Sequence, residues 1–385
     1  MIKILFLHAG AEMYGADKIL LELLSGLDKT RFEPYVILPN NGPLYEEIKK
    51  KDIYVEIREY PILRRKFFNP LGIVNYISGV LKYNKIIEGF CKEKAIEIIH
   101  SNTLAVLEGG FVAKRLKIKH VWHVHEIIMK PKFMFKLTSY LLNKNADEIV
   151  VVSNSVKNHI LRSCLVDEGK IKTIYNGVDN TKFNKEAEYD YLLKEFKVDK
   201  DDIVVGMVGR INSWKGQRDF ILAIKKIVKE HTNIKAILIG GVFEGEEWRV
   251  QELKRLIKDN NLEDVIIMKD FRSDVTNIYN LIDIFVLPST NPDPLPTVVL
   301  EAMASGKPIV AYRHGGVTEM VSEGANGLFA EVLNIDDLST KILYLLKRPE
   351  EREEMGRNSL NRQKKMFSKS SFIDSFENLY EKILK

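Results

Sequence analysis

The sequence predicts an α/β protein made of two doubly wound, parallel-sheet halves. Three observations predict it. Short apolar runs alternate with longer amphipathic stretches, the pattern of parallel βαβ units. The series restarts after a polar stretch, Asn176–Asp202. The length, 385 residues, exceeds one ordinary domain and suits two.

In chain order, the first half opens on Ile4–Leu7. This run is too short for the apolar part of a signal peptide and leads into Gly10-Ala11-Glu12, so it reads as a first buried strand. Ala16–Leu27 reads as a helix, Pro34–Leu38 as a strand and Val74–Glu93 as a long helix. Ile98–His100, His120–His123 and Glu148–Val152 complete the first set of strands. Asn176-Gly177 is a turn signal, followed by a charged segment without a strand. The second set runs Ile203–Val208, Ala236–Ile239, Val265–Met268, Ile284–Leu287 and Pro308–Ala311. The tail, Phe372–Leu384, is amphipathic and long enough for a final packing helix. The expected domains are 1–178, joined by a C-terminal helix 370–385, and 179–369. In doubly wound sheets ligands bind beyond the carboxyl ends of the strands, so the cleft between two such domains is the expected site.

Composition narrows the class. Hydrophobic residues make up 45% and charged residues 29%, a soluble globular balance. No stretch approaches the ~20 apolar residues of a membrane span. Two cysteines, Cys91 and Cys164, offer no disulfide framework and no zinc spacing, which suits a reduced cytoplasmic protein. Residues 61–150 hold 15 Lys plus Arg against 7 Asp plus Glu, although the whole chain is only +5. Such a basic segment suits nucleic acid, an anionic membrane surface or simply a solvated lysine face.

Several residues stand where chemistry would need them. Gly15 follows the first strand at a helix start, where backbone N–H groups can meet a phosphate or merely close a turn. Arg210 ends the first strand of the second half, and Lys215-Gly216 follows five residues on. A planar fork and a point charge there can clamp a diphosphate. His125 lies just past a strand, on the same face as His123, with no third ligand at metal spacing. Asp199-Lys200-Asp201 has the form of an acidic triplet but sits in a charged linker and reads as solvated. Asp293 stands between two prolines, and Glu301 lies among Val298-Val299-Leu300 and Ala302-Met303. A buried carboxylate needs a donor, from protein or ligand. Thr297 and Glu301 share a helix face, and the helix start at Thr297 could hold a phosphate. Glu301 then suits the two hydroxyls of a ribose, and Asp293 suits sugar hydroxyls.

Together these residues resemble the retaining glycosyltransferases of family GT4, which have the GT-B fold: two Rossmann-like domains facing across a cleft. The likeness covers nearly the whole chain. It rests on Tyr14-Gly15-Ala16-Asp17-Lys18, His125-Glu126, Val208-Gly209-Arg210 with Lys215-Gly216, Asp293 and Glu301 eight apart, His314-Gly315-Gly316-Val317-Thr318-Glu319, and Asn326-Gly327-Leu328. The resemblance implies that Gly15 and Ala16 approach the donor diphosphate and that Arg210 and Lys215 clamp it. Glu301 would hold the ribose, Phe271 and Arg272 would lie along the base, and His125 and Asp293 would serve the donor sugar. Gly240, Leu295, Thr297 and Val298 would complete the donor contacts. The family usually has Glu where Asp293 stands, and Phe-Gly where Leu295-Pro296 stands.

The implied reaction moves a sugar from a nucleotide diphosphosugar, a UDP-sugar ahead of a GDP-sugar, to a saccharide or lipid-linked saccharide. It needs no metal and no cofactor. Capsule or lipopolysaccharide assembly is the expected setting, with no nucleic-acid partner. Two stretches, Arg64–Phe68 and Met129–Leu142, interleave cations with large apolar side chains. They suit a cytoplasmic enzyme resting on the inner face of an anionic membrane, although one buried helix face would also explain the second. The competing class is a peripheral membrane assembly protein with a degenerate transferase site, against which the intact Arg210, Lys215 and Glu301 argue. A Rossmann dehydrogenase is disfavoured because no G-x-G-x-x-G follows the first strand.

Overall fold

The computed structural model describes residues 1–63, 70–184 and 188–385. The chain divides into two compact units, Met1–Gly177 with Lys369–Lys385, and Val178–Ser368. Each unit is one wholly parallel sheet with helices between successive strands, the two-domain α/β architecture of the GT-B fold.

The N-terminal unit holds seven strands: β1 (Ile2–His8), β2 (Phe32–Leu38), β3 (Tyr54–Ile57), β4 (Ile98–Asn102), β5 (Lys119–Val124), β6 (Glu148–Val151) and β7 (Ile171–Thr173). Their order is β3-β2-β1-β4-β5-β6-β7. The winding reverses between β1 and β4, so their carboxyl ends, His8 and Asn102, stand in register at the switch point. The central strands are apolar on both faces because helices cover both, which makes them legible as continuous runs. The short edge strands β3 and β7 were not expected from the sequence. Each has only one neighbour, and β3 is largely exposed, so neither carries an apolar run.

The last helix, Lys369–Leu384, packs Phe372, Ile373, Phe376 and Tyr380 into the N-terminal core. Burying each aromatic side chain contributes roughly 2–3 kcal/mol. Gly26 permits the approach, since a Cβ there would lie 2.6 Å from Ile373. The Tyr380 hydroxyl is hydrogen-bonded to His100 Nδ1 at 2.7 Å inside this core.

The C-terminal unit holds β8 (Ile203–Val208), β9 (Ile234–Ile239), β10 (Ile266–Lys269), β11 (Ile284–Leu287), β12 (Ile309–Tyr312) and β13 (Gly327–Ala330), in the order β10-β9-β8-β11-β12-β13. Its reversal lies between β8 and β11. The charged segment after Asn176 forms a short helix, Asp190–Phe196, seated by buried Leu192 and Phe196. Among the described residues, no helix is long and apolar enough to cross a membrane.

Candidate active site

The loops after β8, β9 and β11 gather most of the expected residues of the C-terminal unit. Gly209 follows β8 with φ of +154°, and its carbonyl lies against Gly240. A Cβ on Gly240 would come within 1.9 Å of that oxygen. Gly240 therefore lets two strand ends touch, and so places Arg210. The Arg210 guanidinium stacks 3.7 Å from the centroid of Phe243, an aromatic face that orients the cation.

Asn212 turns the next loop, its Oδ1 accepting from Trp214 N and Lys215 N. Gly216 follows with φ of +84°, and a Cβ there would overlap the Pro288 carbonyl at 1.8 Å. Only glycine fits, and the close approach brings Lys215 to the Pro-rich loop after β11. There Lys215 Nζ donates to both oxygens of Asp293, at 2.9 and 3.0 Å, and Ser289 Oγ donates to Oδ2 at 2.7 Å. Gly315 and Gly316 support that loop from below. Gly316 N donates to Asp293 O at 2.7 Å, and a side chain on either glycine would strike the backbone of Asp293 or Pro294.

The helix after the loop runs Thr297–Ala304, and Pro296 gives it no side-chain cap. The positive end of its dipole therefore has no side-chain cap. Glu301, one turn in, is buried, and Tyr279 donates its hydroxyl to Oε2 at 2.8 Å. Burial, and then the Glu301 charge, raise the Tyr279 pKa well above its ordinary value, so it stays a neutral donor. This tyrosine is the internal partner that the sequence left unnamed. Leu295 is buried beside the loop, while Thr297 and Val298 are half-buried.

Phe271 and Arg272 lie just past β10. Phe271 is 63% exposed, an open ring at the carboxyl end of the sheet. Arg272 is engaged otherwise: it forks onto Asp274 at 2.8 and 2.6 Å and reaches Glu195 at 2.6 Å. It ties the Asp190–Phe196 helix to the loop. Asp199 and Asp201 are exposed, and among the described residues no group of three or more metal-type ligands gathers.

In the N-terminal unit, Gly15 and Ala16 open the helix Gly15–Gly26, whose Asp17 caps it by accepting from Tyr14 N at 3.0 Å. His125 follows β5 directly, and its ring lies 4.0 Å from that of the fully buried His123, as the strand alternation requires. His125 Nε2 is hydrogen-bonded to Asn102 Oδ1 at 2.9 Å. Burial, and then the nearby His8, push its pKa down to about 3, so the ring is neutral. Glu126 accepts from the backbone N–H groups of Leu104 and His125, and burial lifts its carboxyl to about 7. His8, Asp17 and Asn102 join this group, although sequence reasoning gave them no role. The available signal was position, since His8 and Asn102 each end a central strand.

The second basic stretch, expected to face a membrane or to bury one helix face, has both a buried and an exposed face. The helix Lys132–Asn145 buries Met134, Thr138, Ser139 and Leu142, and turns Phe133, Leu137 and Tyr140 outward beside Lys132, Lys136 and Lys144. The neighbouring helix Pro70–Lys94 turns out Leu71, Val74, Ile77 and Leu81. An apolar groove of about 570 Å³ lies between them, lined by Ile77, Leu81, Phe133 and Leu137 among others. The first basic stretch, Arg64–Phe68, lies outside the described residues.

Comparison with known proteins shows the family. Residues 13–182 match the model of Glycosyltransferase Family 4, and residues 190–362 match that of Glycosyl transferases group 1. A capsular polysaccharide biosynthesis glycosyltransferase, CapM of Staphylococcus aureus, is 30% identical over 64% of this chain and 65% of its own. An Escherichia coli UDP-Gal:alpha-D-GlcNAc-diphosphoundecaprenol alpha-1,3-galactosyltransferase is 25% identical over 82% of this chain and 84% of its own. The crystal structure of Anabaena HepE in complex with UDP and glucose superposes with a TM-score of 0.85 at 23% identity, over 99% of this chain and all of that one; at that identity the match speaks for the fold.

Proposed function

The chain belongs to the family 4, group 1 glycosyltransferases, and on that premise we propose that it transfers a sugar, with retention of anomeric configuration, from a nucleotide diphosphosugar to a saccharide or lipid-linked saccharide. The observation that carries this reading is the cluster at the carboxyl ends of β8 and β11. Arg210, Lys215 and an uncapped helix N-terminus supply positive charge there, beside the buried carboxylate of Glu301. Arg210 and Lys215 hold the diphosphate, and Glu301 accepts from the ribose hydroxyls. Phe271 stacks on the base. Asp293 serves the donor sugar, and His125 binds a sugar hydroxyl. A UDP-sugar is favoured, because the HepE structure holds UDP and the E. coli relative is named for UDP-Gal.

The chemistry is electrostatic. As the bond from the sugar's anomeric carbon to the phosphate oxygen breaks, charge grows on the leaving diphosphate, and preorganised cations stabilise it without a metal. The acceptor hydroxyl attacks from the same face and gives its proton to the departing phosphate oxygen. No protein nucleophile is invoked. A binding or assembly protein with a degenerate transferase site is the second class considered; the retained cation and carboxylate set counts against it.

The acceptor reading draws on the lysine-rimmed apolar face and on relatives named for capsule synthesis and for a diphosphoundecaprenol substrate. It places the enzyme on the cytoplasmic side of an anionic membrane, in surface-polysaccharide assembly. Incubating the protein with a panel of UDP- and GDP-sugars and a lipid-linked saccharide tests the whole reading, with NMR of the product anomer. An α-linked product from an α-linked donor supports it. An inverted product, or no transfer from any donor, counts against it.

A further inference from the structure

Four polar side chains form one continuous chain at the switch point of the N-terminal sheet. Asp17 Oδ1 is 2.8 Å from His8 Nε2. His8 Nδ1 is 2.9 Å from Asn102 Nδ2, and Asn102 Oδ1 is 2.9 Å from His125 Nε2. His8, Asp17 and Asn102 are buried, while His125 is half-buried and ends the chain. Asp17 is held in place by its second oxygen, which accepts from Tyr14 N. Glu126 binds the backbone of His125 and Leu104, so it does not compete for the ring.

The proton positions follow from the donor inventory. A carboxylate only accepts, so His8 Nε2 carries the proton facing Asp17. The atom of Asn102 against His8 Nδ1 is the amide nitrogen, which only donates, so His8 Nδ1 accepts and the ring's one proton sits on Nε2. The amide then turns its oxygen to His125, whose Nε2 must donate. We infer that Asp17, His8 and Asn102 are positioning residues that hold His125 as its Nε2–H tautomer, leaving Nδ1 as an acceptor for a hydroxyl of the donor sugar. The tautomer follows from the chain alone; the sugar contact rests on the transferase reading above. Held this way, His125 orients a hydroxyl and does not protonate the leaving group.

Long-range 1H–15N NMR of the full chain, labelled at its eight histidines, reads each tautomer directly. His125→Asn identifies the His125 signals by difference. Wild type should show His125 protonated at Nε2 and bare at Nδ1. Asn102→Leu should let the two tautomers mix and cut kcat roughly 10- to 100-fold, the scale of losing a partner that fixes a histidine's tautomer, while the donor Kd stays within about threefold. Asn102→Asp still accepts from Nε2–H, so it should keep the tautomer and recover at least about tenfold of the turnover lost in Asn102→Leu. A wild-type His125 protonated at Nδ1, or a tautomer signal unchanged in Asn102→Leu, overturns the inference. Absence of turnover in wild type would count against the transferase reading alone, because the NMR arm still decides the tautomer.

Discussion

Lys215 Nζ lies 2.9 Å from Oδ1 and 3.0 Å from Oδ2 of Asp293, so one ammonium spans both oxygens of one carboxylate. Both side chains are largely buried. An ammonium has three protons, and this geometry uses two. On the proposed reading the third goes to a phosphate oxygen, so the lysine would serve the donor without leaving its partner.

Removing one member of this pair should cost more than removing both. Lys215→Met strands a buried carboxylate, and urea unfolding should show a loss of about 3–5 kcal/mol. Lys215→Met combined with Asp293→Leu should recover most of that stability, because well-packed apolar residues replace an ion pair at little cost. The double variant should nevertheless stay at least about 10²-fold down in kcat/KM, as should Arg210→Ala alone. A fully active double variant would remove Lys215 from the donor site.

Glu301 is tested best by a change that keeps its volume. Glu301→Gln should weaken nucleotide binding about tenfold to a hundredfold, the scale of losing charge-assisted hydrogen bonds. Tyr279→Phe removes the phenolic hydrogen bond to Oε2 inside the core and should destabilise by about 1–3 kcal/mol. Titration calorimetry with UDP and thermal unfolding measure the two effects. Wild-type affinity in Glu301→Gln would move the ribose elsewhere.

Much of this was legible in the sequence, for a physical reason. Central parallel strands are apolar on both faces, so β1, β4, β8 and β11 show as continuous runs, and the residues just past them mark a ligand-binding edge. Arg210 and Lys215 past β8, and His125 past β5, could be named on that ground, and Glu301 as a carboxylate inside an apolar helical run. Tyr279 could not, because its contact with Glu301 joins helices 22 residues apart through a side chain. The Asp17–His8–Asn102–His125 chain was hidden likewise, since strand register alone brings residues 8 and 102 side by side. For Arg272 the sequence could not show the partners of its guanidinium, Asp274 and Glu195, which only the fold brings to it.

Stability should fall in acid. Burial, with His125 adding to it, holds His100 and His123 well below the ordinary 6.5, and burial pushes His120 down to about 4. The unfolded chain therefore binds more protons below pH 6.5. Their contribution is present above 6.5 and is lost as pH falls from there toward the folded values. Glu108 has the opposite sign. Burial raises it to about 8, so its contribution is full below its ordinary 4.5 and is lost as pH rises through 8. Thermal unfolding from pH 5 to 9 should show the acid loss in both wild type and Glu108→Gln. The alkaline loss should be smaller in Glu108→Gln, and equal alkaline slopes would speak against a buried, titrating Glu108.

The helix Lys132–Asn145 should bind anionic vesicles. Each well-placed cation contributes about 1 kcal/mol near such a surface, so Lys132→Glu with Lys136→Glu should weaken co-sedimentation more than tenfold. Wild-type binding should fade with salt and be absent on neutral lipid. Equal binding to neutral vesicles would assign the attachment to the apolar groove alone.

The central claim is that the C-terminal unit holds a nucleotide diphosphate by its own cations and Glu301. Titration calorimetry of the full chain with UDP and GDP in excess EDTA, beside Lys215→Ala and Glu301→Gln, tests it most directly. The account predicts saturable binding of one nucleotide, UDP before GDP, that persists in EDTA and weakens at least tenfold in both variants. Binding that vanishes in EDTA and returns only with Mg²⁺ or Mn²⁺, or that both variants leave unchanged, would contradict it.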